Sequence, residues 1–495
     1  MTAVATEAQP ARRGVRARVA ALPRALWGCV AVAILNAAAW AMLTPVFQIP
    51  DEPVHIGYAQ YIAETGKVPR AISPYFQPSE ELDTAFQGVP FTVLGTPTWS
   101  AADDRALDRA LRRNLDRVSE EGAGYASNNP PLYYVLAAGA YKVAGSGSVL
   151  DRIMAMRLLS AVFAGLTVAF VFMFLRELLP RPPWLATVGA LVIALNPLFA
   201  FVAGGVTPDV LLYATAAGTL WLLARGFRRG LTPGLGLALG LMLAVGVLTK
   251  GTMFAFVPGA ALGVLVMLIR AWRSERRPAL LGAVTAGASF AIPLAAWLVA
   301  NTSLLSRDAS TTSAGFSVAP EMSANALASY AWGYFLPRLP GMQDWYPDLD
   351  YPVWDVYFQG LVGRFGWFEW GFPMWVNWVA LGLFAVMVAL VIRGFLDAPA
   401  KLKARFGELL TYAALAAGLV TLITVLAYRY LVVTGAPFEQ ARYLMPLAGL
   451  YSGLVVFAIR SAGPRLAAPL AALVVVLAVG HNIFAQLLTL ARYYA

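Results

Sequence analysis

"NNPPLYYVLAAGAYKVAG", residues 128–145, is the stretch on which the topology of this 495-residue chain turns. It is apolar, but short and amphiphilic, whereas a spanning helix needs about 20 predominantly apolar residues. Charge decides the matter. Were 131–145 to span, every later loop would invert, and the basic stretches "ARGFRRG" (224–230) and "RAWRSERR" (270–277) would face outward. Read as a helix at or partly in the membrane surface, it leaves both stretches inside, as the positive-inside rule requires.

The wider composition agrees. Hydrophobic side chains make up 59% of the chain and charged ones only 13%, against roughly a quarter charged in soluble domains. With a mean hydropathy of +0.64, the chain reads as an all-α polytopic membrane protein. A transmembrane barrel would show alternation in segments of about ten residues, and none is evident. Apolar runs predict about eleven spans, at 25–46, 153–175, 184–203, 208–224, 232–249, 252–270, 279–300, 372–393, 407–428, 443–459 and 467–489. No helix broken at mid-membrane is evident. The organisation is then a basic cytoplasmic tail (1–24), a first span (25–46) and a long extracytoplasmic loop (47–150). A six-helix region (151–300), a second outside loop (301–371) and a four-helix region (372–495) follow. The apolar run before Phe47 is too long for a signal peptide, so the first span is read as uncleaved.

The formal charge of +10 does not point to nucleic acid. More than half of the 37 Lys/Arg but fewer than a fifth of the 27 Asp/Glu fall in the segments placed inside, which is a topology signal. The single cysteine, Cys29, excludes an intrachain disulfide and zinc ligation by cysteines. There is no phosphate-binding P-loop and no dinucleotide glycine fingerprint. Gly236-x-x-x-Gly240 allows close helix contact, and the Trp- and Tyr-rich stretches at 330–354 and 363–378 suit an interfacial aromatic belt.

Against this background "FQIPDEPVHIGYAQYIAETGKVP" (47–69) stands out. Asp51 and Glu52 follow the first span directly, and Pro53 fits the first turn of a new helix. Asp51, His55, Tyr58 and Ile62 share one helical face. A capped amphipathic helix explains one acid, but not two acids with an imidazole one turn on. A second acid, Asp209 in "GGVTPDVLLYA" (204–214), falls at the same membrane face, where Thr207-Pro208 looks like a helix start. Carboxylates at such a boundary are costly and usually functional when they point into a cavity. Glu439, Gln440 and Arg442 in "GAPFEQARYLMPL" (435–447), Lys250 and Arg364 all lie toward this face. Cations there oppose the charge bias, so they snorkel to headgroups or bind a membrane-embedded phosphate. A carboxylate can take the proton of an acceptor hydroxyl while Arg and Lys stabilise a departing lipid phosphate.

In these residues the chain resembles the GT-C superfamily of integral-membrane glycosyltransferases. "PDEPVHIGYAQYI" is similar to the Asp-Glu-x-x-His motif in the first outside loop of protein O-mannosyltransferases. The larger likeness is to the DUF2142 membrane proteins. It rests on the Pro-Asp-Glu-Pro-x-His start, Asn129-Pro130-Pro131, Thr207-Pro208-Asp209, "GRFGW" (363–367) and the run from Gln440 to Pro446. The resemblance implies a GT-C-like fold with amphipathic helices in the first loop, a polyprenyl-phosphate sugar donor and an extracytoplasmic acceptor. It further implies inversion at the anomeric carbon, the catalytic base on Asp51 with Glu52 beside it, and Asp209 as the second acidic position. Lipid A aminoarabinose transferases of the same superfamily carry Lys-Pro-Pro where this chain has Asn129-Pro130-Pro131. The donor phosphate then falls to Arg442, Lys250 or Arg364.

The reading is thus a glycosyltransferase of the bacterial plasma membrane acting on an envelope glycan, glycolipid or protein, with membrane lipids and no nucleic acid as partners. Glu52 and Asp209 position the acceptor or, with Asp51, supply oxygen ligands to a divalent cation (Mg or Mn) if one is used. His55 orients the acid or the acceptor, or packs. Tyr58, Asn129 and Gln440 are read as acceptor or lipid contacts, and His481 as structural. The rivals are a transporter or flippase of lipid-linked sugars, and a non-catalytic membrane partner that organises envelope enzymes.

Overall fold

The stretch 131–145 forms no helix long enough to cross a membrane. In a computed structural model, which describes residues 22–69, 76–89, 100–304, 323–346, 349 and 351–494, it forms the twelve-residue helix Leu132–Val143. At 1.5 Å per residue that is about 18 Å, well short of the hydrocarbon thickness. Tyr133, Tyr134, Ala137 and Tyr141 are buried, and the helix packs on Glu52–Thr65 and Val149–Leu178.

The chain runs α1 (Arg24–Leu43), α2 (Glu52–Thr65), α3 (Glu80–Gly88), α4 (Ala101–Leu111), a 3-10 segment (Glu120–Asn128) and α5 (Leu132–Val143). Then come α6 (Val149–Leu178), α7 (Trp184–Ala194), α8 (Pro197–Ala203), α9 (Asp209–Arg229), α10 (Pro233–Thr249), α11 (Phe256–Ala271), α12 (Arg276–Val299) and α13 (Ala324–Phe335). A short α14 (Gln359–Gly363) leads into the hairpin β1 (Arg364–Phe365) and β2 (Trp370–Gly371), paired antiparallel with Arg364 opposite Gly371. The chain closes with α15 (Met374–Leu396), α16 (Pro399–Ala404), α17 (Phe406–Thr434), α18 (Ala448–Ser461) and α19 (Ala467–Tyr494).

Among the described residues nine helices are long and apolar enough to cross a membrane, or ten if α7 and α8 are one bent span. The expected count of eleven is not reached, because α10, although apolar, has only 17 residues. The basic tail and residues 305–322 of the second loop lie outside the described residues.

Unlike the unbroken span expected at 184–203, α7 and α8 meet at 62°. The cause is Asn196-Pro197: proline cannot continue α7 but suits the first turn of α8, and Asn196 caps that turn by accepting from Phe199 N at 2.9 Å. A break in a membrane frees backbone carbonyls that water cannot reach. Asn36 of α1 donates to Ala194 O at 2.9 Å, and is itself held by Asn482 (2.9 Å) and Gln486 (3.0 Å) of α19. Polar side chains thus tie the first and last helices to the break.

Close packing elsewhere follows the small residues. A Cβ on Gly236 would lie 1.9 Å from the Gly282 carbonyl, and one on Gly240 would lie 2.1 Å from Ser289 Oγ, so the glycine pair seats α10 on α12. The aromatic stretch divides. Trp375 and Trp378 are exposed as a lipid-facing belt requires, but Tyr330, Tyr334, Tyr346 and Tyr357 gather with Tyr428 into a buried cluster. The hairpin is packed against the exit of α1. Phe365 stacks on Trp40 with centroids 5.2 Å apart, and Trp367 Nε1 donates to the Phe47 carbonyl at 3.3 Å.

Candidate active site

The site is built at the exit of α1, where the backbone is strained. Phe47 and Asp51 both have left-handed φ, at 70° and 66°, a conformation that costs a non-glycine residue about 1–3 kcal/mol and persists only when its surroundings hold it. Glu52 does the holding. Its carboxylate, fully buried, forms a two-pronged pair with Arg157 of α6 at 2.7 Å on each oxygen. It also accepts from Phe47 N at 2.8 Å and from Val206 N at 3.1 Å. Arg157 in turn donates to the carbonyls of Ala41, Thr44 and Pro45, satisfying the end of α1. One ion pair therefore fixes the α1 exit, the start of α2 and the loop that carries Asp209.

Asp51 occupies the N-cap position of α2, but its side chain caps no amide. It points instead to Arg442, with which it forms an ion pair, while Tyr125 Oη donates to its Oδ1 at 2.6 Å. Arg442 Nη1 also donates to the Pro50 carbonyl at 3.0 Å and lies 3.6 Å from Asp209 Oδ2. Asp209, the first residue of α9 and 2% exposed, is paired through Oδ1 with Lys250 Nζ at 2.5 Å. The Tyr443 ring lies beside both cations, 5.5 Å from Lys250 Nζ and 5.3 Å from the Arg442 guanidinium carbon. Two acids and two cations from four separate parts of the chain therefore share one buried cluster. Burial alone would raise the Asp51 carboxyl; Arg442, with help from His55 and Tyr125, holds it well below the usual carboxylate range.

His55 stands behind this cluster, with Nδ1 3.0 Å from Tyr134 Oη, which also accepts from Asn129 Nδ2 at 3.2 Å. Burial pushes the imidazole down to about 3, against the opposing pull of Asp51, so the ring is neutral at physiological pH. Tyr58, fully buried, stacks on Tyr134 with centroids 3.9 Å apart. Tyr58 and Asn129 thus support His55 through Tyr134, Tyr58 from full burial and Asn129 from a half-buried position.

The remaining sequence candidates separate. Gln440 is adjacent to the cluster, and its Oε1 has no hydrogen-bond partner among the described residues. Arg364 is turned to the Asp355 carbonyl at 3.1 Å and makes no ion pair among the described residues. His481 packs on Phe372 with ring centroids 4.6 Å apart. Glu439 receives the Tyr346 hydroxyl, and burial pushes its carboxyl up to about 7. A divalent cation does not fit. Both Glu52 oxygens are saturated by Arg157 and backbone amides, and Asp51 and Asp209 are already neutralised by Arg442 and Lys250. Among the described residues no three His, Cys, Asp or Glu side chains gather to hold a metal.

The sequence profile of a family described as "Predicted membrane protein (DUF2142)" matches residues 34–451, a stretch that includes α2 and all four charged residues of the cluster. The chain belongs to the DUF2142 family. None of the curated proteins matches this DUF2142 chain. Its structure is similar to that of the Archaeoglobus fulgidus oligosaccharyltransferase in the apo form, at 12% identity and a TM-score of 0.44, covering 95% of this chain and 56% of that one. The same oligosaccharyltransferase, AglB, in complex with an inhibitory peptide and a dolichol-phosphate gives a TM-score of 0.46 at 12% identity, with coverage of 95% and 56%. ArnT from Cupriavidus metallidurans bound to undecaprenyl phosphate gives 0.44 at 15% identity, with 90% and 62% covered. This chain spans less than two thirds of the length of each of these chains.

Three members of the DUF2142 site are absent from the sequence reading. Arg157 carried a signal, since an arginine inside an apolar span demands a partner. Tyr125 and Tyr443 carried none, because their contacts depend on chain crossings that periodicity does not encode.

Proposed function

We propose that this DUF2142 protein is a GT-C-type glycosyltransferase of the bacterial plasma membrane. It transfers a sugar from a polyprenyl-phosphate donor to an extracytoplasmic glycan, glycolipid or protein. The observation that carries the reading is Arg442 lying between Asp51 and Asp209, with Lys250 on the second acid. Two cations at the head of apolar helices suit a lipid-linked phosphate, and the carboxylate beside them suits a hydroxyl.

In this reading the donor phosphate takes Arg442 and Lys250 from their carboxylate partners. The acceptor oxygen bonds the anomeric carbon from the face opposite the phosphate, and its proton passes to Asp51. The bond from carbon to phosphate oxygen breaks with its electrons on the phosphate, where the guanidinium fork and the ammonium stabilise the charge. No general acid is needed, because phosphate leaves as an anion. Before the donor arrives Asp209 holds Lys250 in place, and neutral His55 adds no competing positive charge. Glu52 is a positioning residue, acting through Arg157 and the Phe47 and Val206 amides rather than on substrate.

A second reading, a transporter of lipid-linked sugars, draws on the α7–α8 break, since broken helices mark many transporter sites. One set of measurements separates them. Purified protein is given a panel of polyprenyl-phosphate sugars with candidate acceptors, and release of polyprenyl phosphate is followed for wild type and Asp51→Asn. Release by wild type alone supports the transferase; full activity of D51N removes Asp51 as base. Passage of lipid-linked sugar across reconstituted vesicles, with no donor consumed, favours the transporter.

A further inference from the structure

Asp51 has its two carboxylate oxygens engaged differently. Oδ2 faces inward to Arg442, on the donor side of the cluster, and Oδ1 faces Tyr125, whose hydroxyl donates to it at 2.6 Å. Tyr125 itself is 43% exposed, whereas Arg442 is 3% exposed. The phenol therefore approaches Asp51 from the exposed side of the site, which in the transferase reading is the side an acceptor hydroxyl enters. It also makes the contact an acceptor hydroxyl must make: an O–H directed at the oxygen that will take its proton.

The segment carrying Tyr125 is seated firmly at its start and kinks beside the tyrosine. A Cβ on Gly57 of α2 would lie 2.0 Å from the Gly122 carbonyl, so the 3-10 segment sits hard against α2. Gly124, immediately before Tyr125, has a φ of 44° and a ψ of −139°, where the segment kinks. The exposed ring can leave Asp51 by rotation of its own side chain, without disturbing the contact at Gly57.

We propose that Tyr125 is a specificity-determining guard on the base: its hydroxyl holds the acceptor's place on Asp51 Oδ1, excludes water from it, and yields only to an incoming acceptor hydroxyl. This deepens the transferase reading and rests on it. A membrane enzyme with one face in water has a chemical hazard, because water is also an acceptor. A water molecule on Oδ1 would bond its oxygen to the anomeric carbon, pass a proton to Asp51 and release free sugar and polyprenyl phosphate. With the phenol in place no water occupies that position. Removing only the hydroxyl leaves a polar gap of about one water beside a carboxylate, a site that water fills readily, and a water hydrogen-bonded to a general base is activated for attack.

The test measures two products from one donor. Wild type, Tyr125→Phe and Tyr125→Ala are incubated with the polyprenyl-phosphate sugar that wild type consumes, with and without acceptor, and free sugar is counted against transferred sugar. The expected result is a several-fold rise in the ratio of free to transferred sugar for Y125F, a larger rise for Y125A, and release of polyprenyl phosphate by both without acceptor. A merely structural tyrosine would lower both products together and leave the ratio fixed, and that outcome overturns the proposal while the transferase stands. If wild type consumes no donor with any acceptor, the transferase reading falls and the guard with it.

Discussion

Arg442 holds the Asp51 carboxylate with one terminal nitrogen and the carbonyl of Pro50, the residue before it, with the other at 3.0 Å. The guanidinium thus fixes both the charge and the backbone direction of the acid. A lysine could neutralise Asp51 but could not make both bonds in one plane. Arg442→Lys is expected to fold and to lose most donor affinity. Arg442→Gln should lower stability by about 3 kcal/mol, as breaking a largely buried pair does. The pH dependence carries the same information. Asp51 is depressed in the folded state, so the pair's contribution is present above the ordinary carboxylate value of about 4 and is lost as pH falls below it. Thermal unfolding in detergent from pH 7 down to about pH 3 should show this acid loss in wild type and little of it in R442Q. Equal acid slopes in the two proteins would contradict the pairing.

Glu52 and Asp51 are neighbours with opposite duties, and substitution separates them. Asp51→Asn should remove turnover at a cost in stability comparable to that of Arg442→Gln, since it breaks the same pair. Glu52→Gln leaves Arg157 charged and buried with two of its five hydrogen bonds weakened or lost, and should cost roughly 3–5 kcal/mol. The pair Glu52→Gln with Arg157→Met removes the stranded charge and should recover part of that loss, a coupling read by a double-mutant cycle. If E52Q melts with wild type and only its activity falls, Glu52 belongs to the chemistry and not to the scaffold.

The neutral His55 gives the protein a second acid sensitivity in a different window. Its folded value, pushed down to about 3 mainly by burial, lies below the ordinary value of 6.5. Between the two the unfolded chain binds a proton that the folded protein refuses, so stability falls as pH decreases from about 6 toward 4, by up to about 1.4 kcal/mol per pH unit. His55→Asn should flatten that part of the curve, leaving the Asp51 loss at lower pH. An unchanged slope between pH 6 and 4 would place the titrating group elsewhere.

How far these residues were legible in the sequence depended on whether the signal was local. The shortness of the apolar run at 131–145 was a local signal, and the structure gives a twelve-residue helix there. Gly236-x-x-x-Gly240 is a local pattern whose packing consequence is general. Asp51, Asp209, Arg442 and Lys250 could each be marked as a charge out of place at a span end. Their pairing could not, because contacts such as Asp51 with Arg442 join residues 391 apart in the chain. Glu52 shows the same limit: its partner Arg157 lies 105 residues on, so the pair that engages both its oxygens could not be read from the motif. The length of α10 and the α7–α8 bend were not legible, because hydropathy averages over length and does not register that α10 is short or that Pro197 breaks a run.

The charge sum of the cluster leads to the last prediction. Asp51 and Asp209 are each paired with one of Arg442 and Lys250, and His55 is neutral, so the site totals zero before any ligand arrives. Polyprenyl phosphate, the monoester product that leaves after Asp51 has taken the acceptor proton, brings negative charge into a pocket with no spare cation among the described residues. Transfer of an unpaired anion to such a place is costly, and the cost is relieved if one carboxylate takes up a proton as its cation moves to the phosphate. Asp51, whose low value depends on Arg442, is the group whose affinity for a proton rises most when that guanidinium is withdrawn. Binding of polyprenyl phosphate, in the presence of a chelator, should therefore tighten as pH falls, approaching tenfold per pH unit where one proton is taken up. Calorimetry in buffers of different ionisation enthalpy should count that proton directly. Asp209→Asn removes one negative charge in advance, so it should bind polyprenyl phosphate more tightly than wild type at pH 8 and show a flatter pH dependence. Proton-neutral binding by wild type, with no gain in D209N, would mean that the phosphate does not enter between these four residues.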